Sequence, residues 1–272
     1  MAESILIVSG KGGVGKSVIA ANLGAALASA GRSTVIIDAD IGLRSQDTLL
    51  GLENLVVYDL IDAVNKECTI SEALHDCPSC PGLKLLPASQ FARVRDLDRN
   101  RFRKMINTLK QDYEYILIDA PAGIEKGFRN LLNAQPDRIL LVTTPDQLCI
   151  RDAERAAQVI EAKQLPRPEL IVNRLENELI RRKEMLSARV IADTLDLPLA
   201  GEIPDDPVVY RSVLRNSLFI NYDCEARLAV LRIAERLHGS MIPFPEIGKQ
   251  RITLRQRLFP RIPKEVTPLD RH

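Results

Sequence analysis

Short apolar runs bounded by turn residues recur along the chain: Ile5–Val8, Val35–Ile37, Leu83–Leu86, Tyr115–Ile118, Ile139–Val142 and Leu170–Val172. They are near-continuous rather than alternating, the pattern of parallel strands covered on both faces. Helical patterns lie between and after them, over Ile19–Ala30, Arg99–Lys110, Ile150–Ala162, Ala188–Leu195 and Glu225–Leu237. Alternating strand and helix predicts an α/β fold, a doubly wound, mostly parallel sheet. Ligands of such sheets bind at the carboxyl ends of the strands.

The first strand runs into Gly10-Lys11-Gly12-Gly13-Val14-Gly15-Lys16-Ser17, followed by Val18 and the first helix. Strand, glycine-rich turn and helix are the context a P-loop needs. The glycines let backbone N–H groups converge on phosphate oxygens, and the helix N-terminus adds positive potential. Lys16 is placed for the β- and γ-phosphates of ATP and Ser17 for Mg²⁺. The same letters spell G-x-G-x-x-G, a dinucleotide fingerprint, with Asp38 or Asp40 forced into the ribose role; that motif does not require the Gly-Lys-Ser ending. Lys11 is a second lysine inside the loop, which an ordinary P-loop does not need.

Other candidates also follow strands. Asp38-Ala39-Asp40 closes the second, and Asp40 is placed to orient a water and support Mg²⁺, or to cap the strand. Asp119 ends another strand before Ala120-Pro121-Ala122-Gly123, a Walker B arrangement at the metal. Asn173-Arg174 ends a later strand, where a turn residue is the plain alternative. Ile203-Pro204-Asp205-Asp206 ends one more.

Composition narrows the partners. The 272 residues are 46% hydrophobic, and no Gly/Ser linker divides them. One domain over residues 1–240 with a tail over 241–272 is the expected organisation. Aromatics are 4% with no Trp, against a base-stacking surface for single-stranded nucleic acid. The net charge of +1 divides unevenly: residues 249–272 carry seven Lys/Arg and two Asp/Glu, a net of +5, which leaves −4 on the rest. Any polyanion contact is then local to the tail, and no specific nucleic-acid surface is expected. The N-terminus does not read as a signal peptide, and no apolar stretch nears the ~18 residues of a membrane span. A cytoplasmic location is expected. Five cysteines fit a reduced compartment. Cys77-Pro78-Ser79-Cys80 reads as a surface loop with incidental thiols; the alternatives are a redox pair or a metal site, which would need both Cys68 and His75 as further ligands.

These motifs resemble the MinD/ParA family of deviant Walker A P-loop ATPases over about residues 1–240. The resemblance rests on the Lys11-bearing loop, Asp40-Ile41-Gly42-Leu43-Arg44, Val57-Tyr58-Asp59, Leu86-Pro87-Ala88-Ser89-Gln90, Pro121-Ala122-Gly123-Ile124-Glu125, Ile150–Arg155 and Ile203–Asp206. It implies ATP-dependent homodimerisation, with Lys11 reaching across to the partner's nucleotide. It gives Asp40 a catalytic role beside Lys16 and Asp119, Asn173 the adenine, and Arg174, Pro204 and Asp205 the base pocket. It places partner contacts at Arg44, Arg151 and Asp152. It implies a slow, partner-stimulated ATPase that positions the division septum. A MinC-like inhibitor, a MinE-like or scaffold regulator and an anionic membrane at the inner face of the cell membrane would be its partners. Flagellar-number or cargo-segregation ATPases, an Fe–S carrier using Cys77 and Cys80, and a non-hydrolysing nucleotide-binding scaffold are the alternatives. Ser45-Gln46-Asp47 departs from the family's usual Asn-Leu-Asp. In the tail, Ile252, Leu254, Leu258 and Phe259 span an arc of about 160° at 100° per residue, an amphipathic face. Arg251 and Arg255 interrupt it, so a membrane-surface helix competes with a disordered basic tail.

Overall fold

The computed structural model describes residues 2–93, 96–124 and 126–245. The chain opens with β1 (Glu3–Val8), α1 (Lys16–Ser29), β2 (Thr34–Asp38), α2 (Gln46–Leu50), α3 (Leu60–Asn65), α4 (Ile70–Ala73), β3 (His75–Asp76) and β4 (Leu83–Leu86). It continues through α5 (Arg99–Leu109), β5 (Tyr115–Asp119), α6 (Lys126–Leu132), β6 (Arg138–Thr143) and α7 (Gln147–Glu161). It closes with β7 (Glu169–Leu175), α8 (Asn177–Arg181), α9 (Ala188–Leu195), β8 (Leu199–Pro204), α10 (Pro207–Leu214) and α11 (Glu225–Leu237).

Among the described residues the strands form one sheet in the order β3-β4-β2-β5-β1-β6-β7-β8. Every neighbouring pair is parallel except β3–β4 at the edge. The near-continuous apolar runs follow from burial on both faces. Ile5, Ile7, Ile36, Leu117, Leu140 and Ile171 pack into one core with α1 and α11. Their chain neighbours Leu6, Val35, Ile116, Ile118, Leu141 and Leu170 pack into the other, with α5, α7 and α9. The order reverses at β1: the chain leaves it toward β2 on one side and later returns through β5 to β6 on the other. A crevice at such a reversal is where a doubly wound sheet binds ligands.

Two sequence expectations change. The Cys77–Cys80 turn lies at the surface through Pro78 and Ser79, but its thiols are not exposed. Both cysteines are buried, and their thiols face the backbone carbonyls of Leu50 and Ala25 at 3.9 and 3.7 Å. The turn tucks beneath α1, so the cysteines act as small core residues. Several short helices, α2–α4 among them, have no periodic signal, although α3 and α4 carry reciprocal capping boxes, Asp59 with Asp62 and Thr69 with Glu72. Among the described residues no helix is long and apolar enough to cross a membrane. The tail residues Ile252, Leu254, Leu258 and Phe259 lie outside the described residues.

Candidate nucleotide and metal site

The P-loop starts where β1 ends and is fixed against α7. A Cβ on Gly10 would stand 2.1 Å from the Asp152 carbonyl oxygen, so only glycine allows this approach. Gly15, at φ 93° and ψ 14°, caps α1 in the left-handed region that glycine enters without strain. No side chain caps α1, and its first N–H groups face the loop. That uncapped terminus suits an anion.

Lys16 turns into the sheet end. Its Nζ donates to Asp119 Oδ1 at 2.5 Å and to Ser17 Oγ at 3.2 Å, and both charged groups are buried. Asp119 stands in register with Asp38 on the adjacent strand β2. Burial, and secondly the Asp119 carboxylate, push Asp38 up to about 7, while N–H groups of Gln46 and Asp40 donate to it and pull the other way. Half-buried Asp40 is also raised, first by desolvation; Lys16 opposes this and Asp119 adds to it. One ammonium therefore faces three carboxylates. A hydroxyl and acidic oxygens are the hard donors Mg²⁺ takes, and a divalent cation would offset the negative excess.

Beside Gly15 lies a cavity of about 530 Å³, lined by Asn173, Arg174, Pro204, Asp205, Val18 and Tyr210 among others. That is within the usual range for a small-molecule site. Asn173 Nδ2 donates to the Val14 carbonyl at 2.8 Å, tying this cavity to the loop. Pro207 at the first turn of α10 and the Asp206 cap fix the opposite wall.

Lys11 is exposed at the rim of the loop, near enough to the start of α7 to help lower Asp146. Arg151 is exposed on α7, and Asp152 pairs with Arg155 at 3.6 Å. Arg44, read from sequence as a partner contact, turns inward instead: it is 12% exposed and its Nε lies 2.6 Å from Asp47. Leu43 is the projecting residue of that turn.

The structure also brings in two residues that the P-loop reading had left without a role. Asp38 is the inner carboxylate of Asp-Ala-Asp. Gln46 is fully buried and donates through Nε2 to Asp119 Oδ2 at 2.6 Å and to the Ser17 carbonyl at 3.0 Å. Its only sequence signal is the departure from the family's leucine. Among the described residues no group of three His, Cys, Asp or Glu has the arrangement to hold a metal through those side chains alone. Any cation here would therefore share Ser17 and a ligand's oxygens.

Comparison with known proteins places the chain in a family. The family model described as ParA, NUBPL iron-transfer P-loop NTPase, matches residues 1–237. The iron-transfer description finds no counterpart in Cys77 and Cys80, which are buried in the core away from the sheet's ligand crevice. The septum site-determining protein MinD of Synechocystis sp. is 41% identical over 264 residues, which cover 96% of this chain and 99% of that protein. Among solved structures, the MinC:MinD cell division protein complex of Aquifex aeolicus matches with a TM-score of 0.84 at 38% identity, covering 90% of this chain and 99% of that one. MinD of Pyrococcus horikoshii complexed with Mg-ADP matches with a TM-score of 0.76 at 28% identity, over 87% of this chain and 96% of that one. Matched by the family model over residues 1–237 and by these relatives over nearly its full length, the chain belongs to the MinD group of septum-site-determining ATPases within the ParA family of P-loop NTPases.

Proposed function

We propose that this chain is an ATP-driven switch that places the bacterial division septum, with ATP and Mg²⁺ as its ligands. The observation that carries this is one cluster: Lys16, Ser17 and Asp119 meet at the open end of α1, with Asp40 in electrostatic reach, next to a cavity of nucleotide size. Lys16 exchanges its contact with Asp119 for the β- and γ-phosphates. Ser17 and Asp119 would hold the metal, which would supply Lewis acidity for charge on the phosphoryl oxygens. Asp40 orients the attacking water. Gly10, Gly12, Gly13, Val14 and Gly15 present backbone N–H groups. Asn173 pairs with the adenine edge through an amide that both donates and accepts, while Arg174, Pro204 and Asp205 wall the pocket.

Turnover is slow until a partner stimulates it. ATP drives a homodimer in which Lys11 of each copy reaches the other's nucleotide. In support, Leu43, Phe91 and Leu148 all project from the strand-end side, Phe91 at 94% exposure. An apolar rim around a polar site favours a covered face. A MinC-like inhibitor docks along α7 at Arg151 and Asp152, the Aquifex relative having been solved in a MinC:MinD complex. A MinE-like or scaffold regulator and the tail residues Ile252, Leu254, Leu258 and Phe259 would hold the ATP form at the inner face of the cell membrane.

Light scattering and phosphate release test the scheme together. Asp40→Ala is expected to bind ATP and accumulate as a dimer with little hydrolysis. Lys11→Ala should bind ATP as a monomer and dimerise poorly. Equal ATP-dependent dimerisation of Lys11→Ala and the parent would remove Lys11 from the seam.

A further inference from the structure

Gln46 is the first residue of α2 and joins three pieces of the site. Its side-chain N–H groups reach the P-loop helix at the Ser17 carbonyl and the end of β5 at Asp119 Oδ2, and its backbone N–H reaches the end of β2 at Asp38 Oδ2. The orientation of its amide follows from chemistry. Both side-chain partners are acceptors, so the nitrogen must face them. The carbonyl oxygen Oε1 is left buried with no partner. An orphaned buried acceptor is costly, and a leucine would fill the same volume without one. The glutamine therefore makes sense where a donor enters beside it. Lys16 is already shared between Asp119 and Ser17. The donors that arrive with a divalent cation are its bound waters, because Mg²⁺ keeps several of them.

We propose that Gln46 is a positioning residue of the magnesium site. Its amide N–H groups hold Asp119 against the P-loop helix, and Oε1 accepts from a water on the metal. This rests on the nucleotide–metal reading above and adds to it a residue specific to this chain's Ser45-Gln46-Asp47 stretch.

The test separates metal affinity from nucleotide affinity and from folding. A fluorescent ADP analogue is titrated into the full chain in excess EDTA and in excess Mg²⁺, for the parent, Gln46→Leu and Gln46→Glu. The readout is the ratio of the two dissociation constants, with thermal unfolding of the nucleotide-free proteins alongside. Gln46→Leu should keep its affinity in EDTA while the Mg²⁺ ratio falls about tenfold, the scale of one charge-assisted hydrogen bond. Gln46→Glu keeps an oxygen at the Oε1 position but sets a second acceptor against Asp119 and the Ser17 carbonyl, so it should bind more weakly in EDTA while its Mg²⁺ ratio stays above that of Gln46→Leu. An unchanged ratio in Gln46→Leu, or equal losses with and without Mg²⁺ together with a lower melting temperature, overturns the proposal and leaves a structural strut. A Mg²⁺ ratio in Gln46→Glu as low as in Gln46→Leu overturns the acceptor role of Oε1. A parent that binds ADP in neither condition overturns the nucleotide reading itself, a result distinct from a parent that binds with a Mg²⁺ ratio that Gln46→Leu shares.

Discussion

At the scale of single residues, the site is an imbalance of charge held in a dry place. Asp38 lies fully buried in register with Asp119, and Lys16 is the one ammonium in contact with that pair among the described residues. The raised Asp38 gives a signed expectation. A carboxyl whose folded pKa exceeds its unfolded value of 3.8 contributes stability that is fully present below that value and lost as pH rises through about 7. The nucleotide-free parent should therefore weaken from pH 5 to pH 8. Asp38→Asn, neutral throughout, should show a flatter profile and gain relative to the parent at pH 8. Urea midpoints at the two pH values decide it; parallel profiles would mean that Asp38 is ionised across the range. Residue types and order alone reached Lys16, Ser17, Asp40 and Asp119, because a P-loop fixes what must follow the strands around it. They could not tell which carboxylate of Asp38-Ala39-Asp40 points inward. That depends on β2 ending at Asp38, after which the chain turns and Leu43 and Arg44 bond back to the Asp40 carbonyl.

At the scale of elements, tight packing holds the P-loop against α7. Gly10→Ala would drive a methyl into the Asp152 carbonyl, a backbone group that cannot swing aside. It should cost ~1–3 kcal/mol, as overpacking does. Gly12→Ala is the control: its new Cβ would meet only the Ala122 methyl, at 3.7 Å, and it should unfold with the parent. Thermal or urea unfolding separates the two, and equal stabilities would show that the loop is free of α7. The long strands and helices were legible because their apolar periods are unbroken, and the observed α1 and α7 begin only three residues before the sequence boundaries. Helix α2 was not, since five residues give no period. The burial of Cys77 and Cys80 was equally hidden, because the carbonyls they face lie 27 and 55 residues away in sequence.

At the scale of the whole molecule, a mildly acidic body carries a strongly basic terminal segment. One such segment buries few apolar side chains, and each basic residue near an anionic leaflet adds only about 1 kcal/mol. Two segments in the proposed ATP dimer would act at high effective concentration. Sedimentation with anionic vesicles should therefore need ATP, weaken with salt and vanish when residues 249–272 are removed, with ATP binding intact. Truncated protein that still pellets in ATP would move the anchor into the body. The seat of Gly10 on the Asp152 carbonyl has a consequence at this scale as well. Loop and helix touch without slack, so a displacement of one is a displacement of the other. A protein gripping α7 and a nucleotide gripping the loop then draw on a single equilibrium. Whatever factor ATP applies to the affinity of that protein, the protein must apply to the affinity of ATP, in the same direction and to the same extent. The helix that reports the nucleotide is thus also a handle by which the nucleotide can be held or let go.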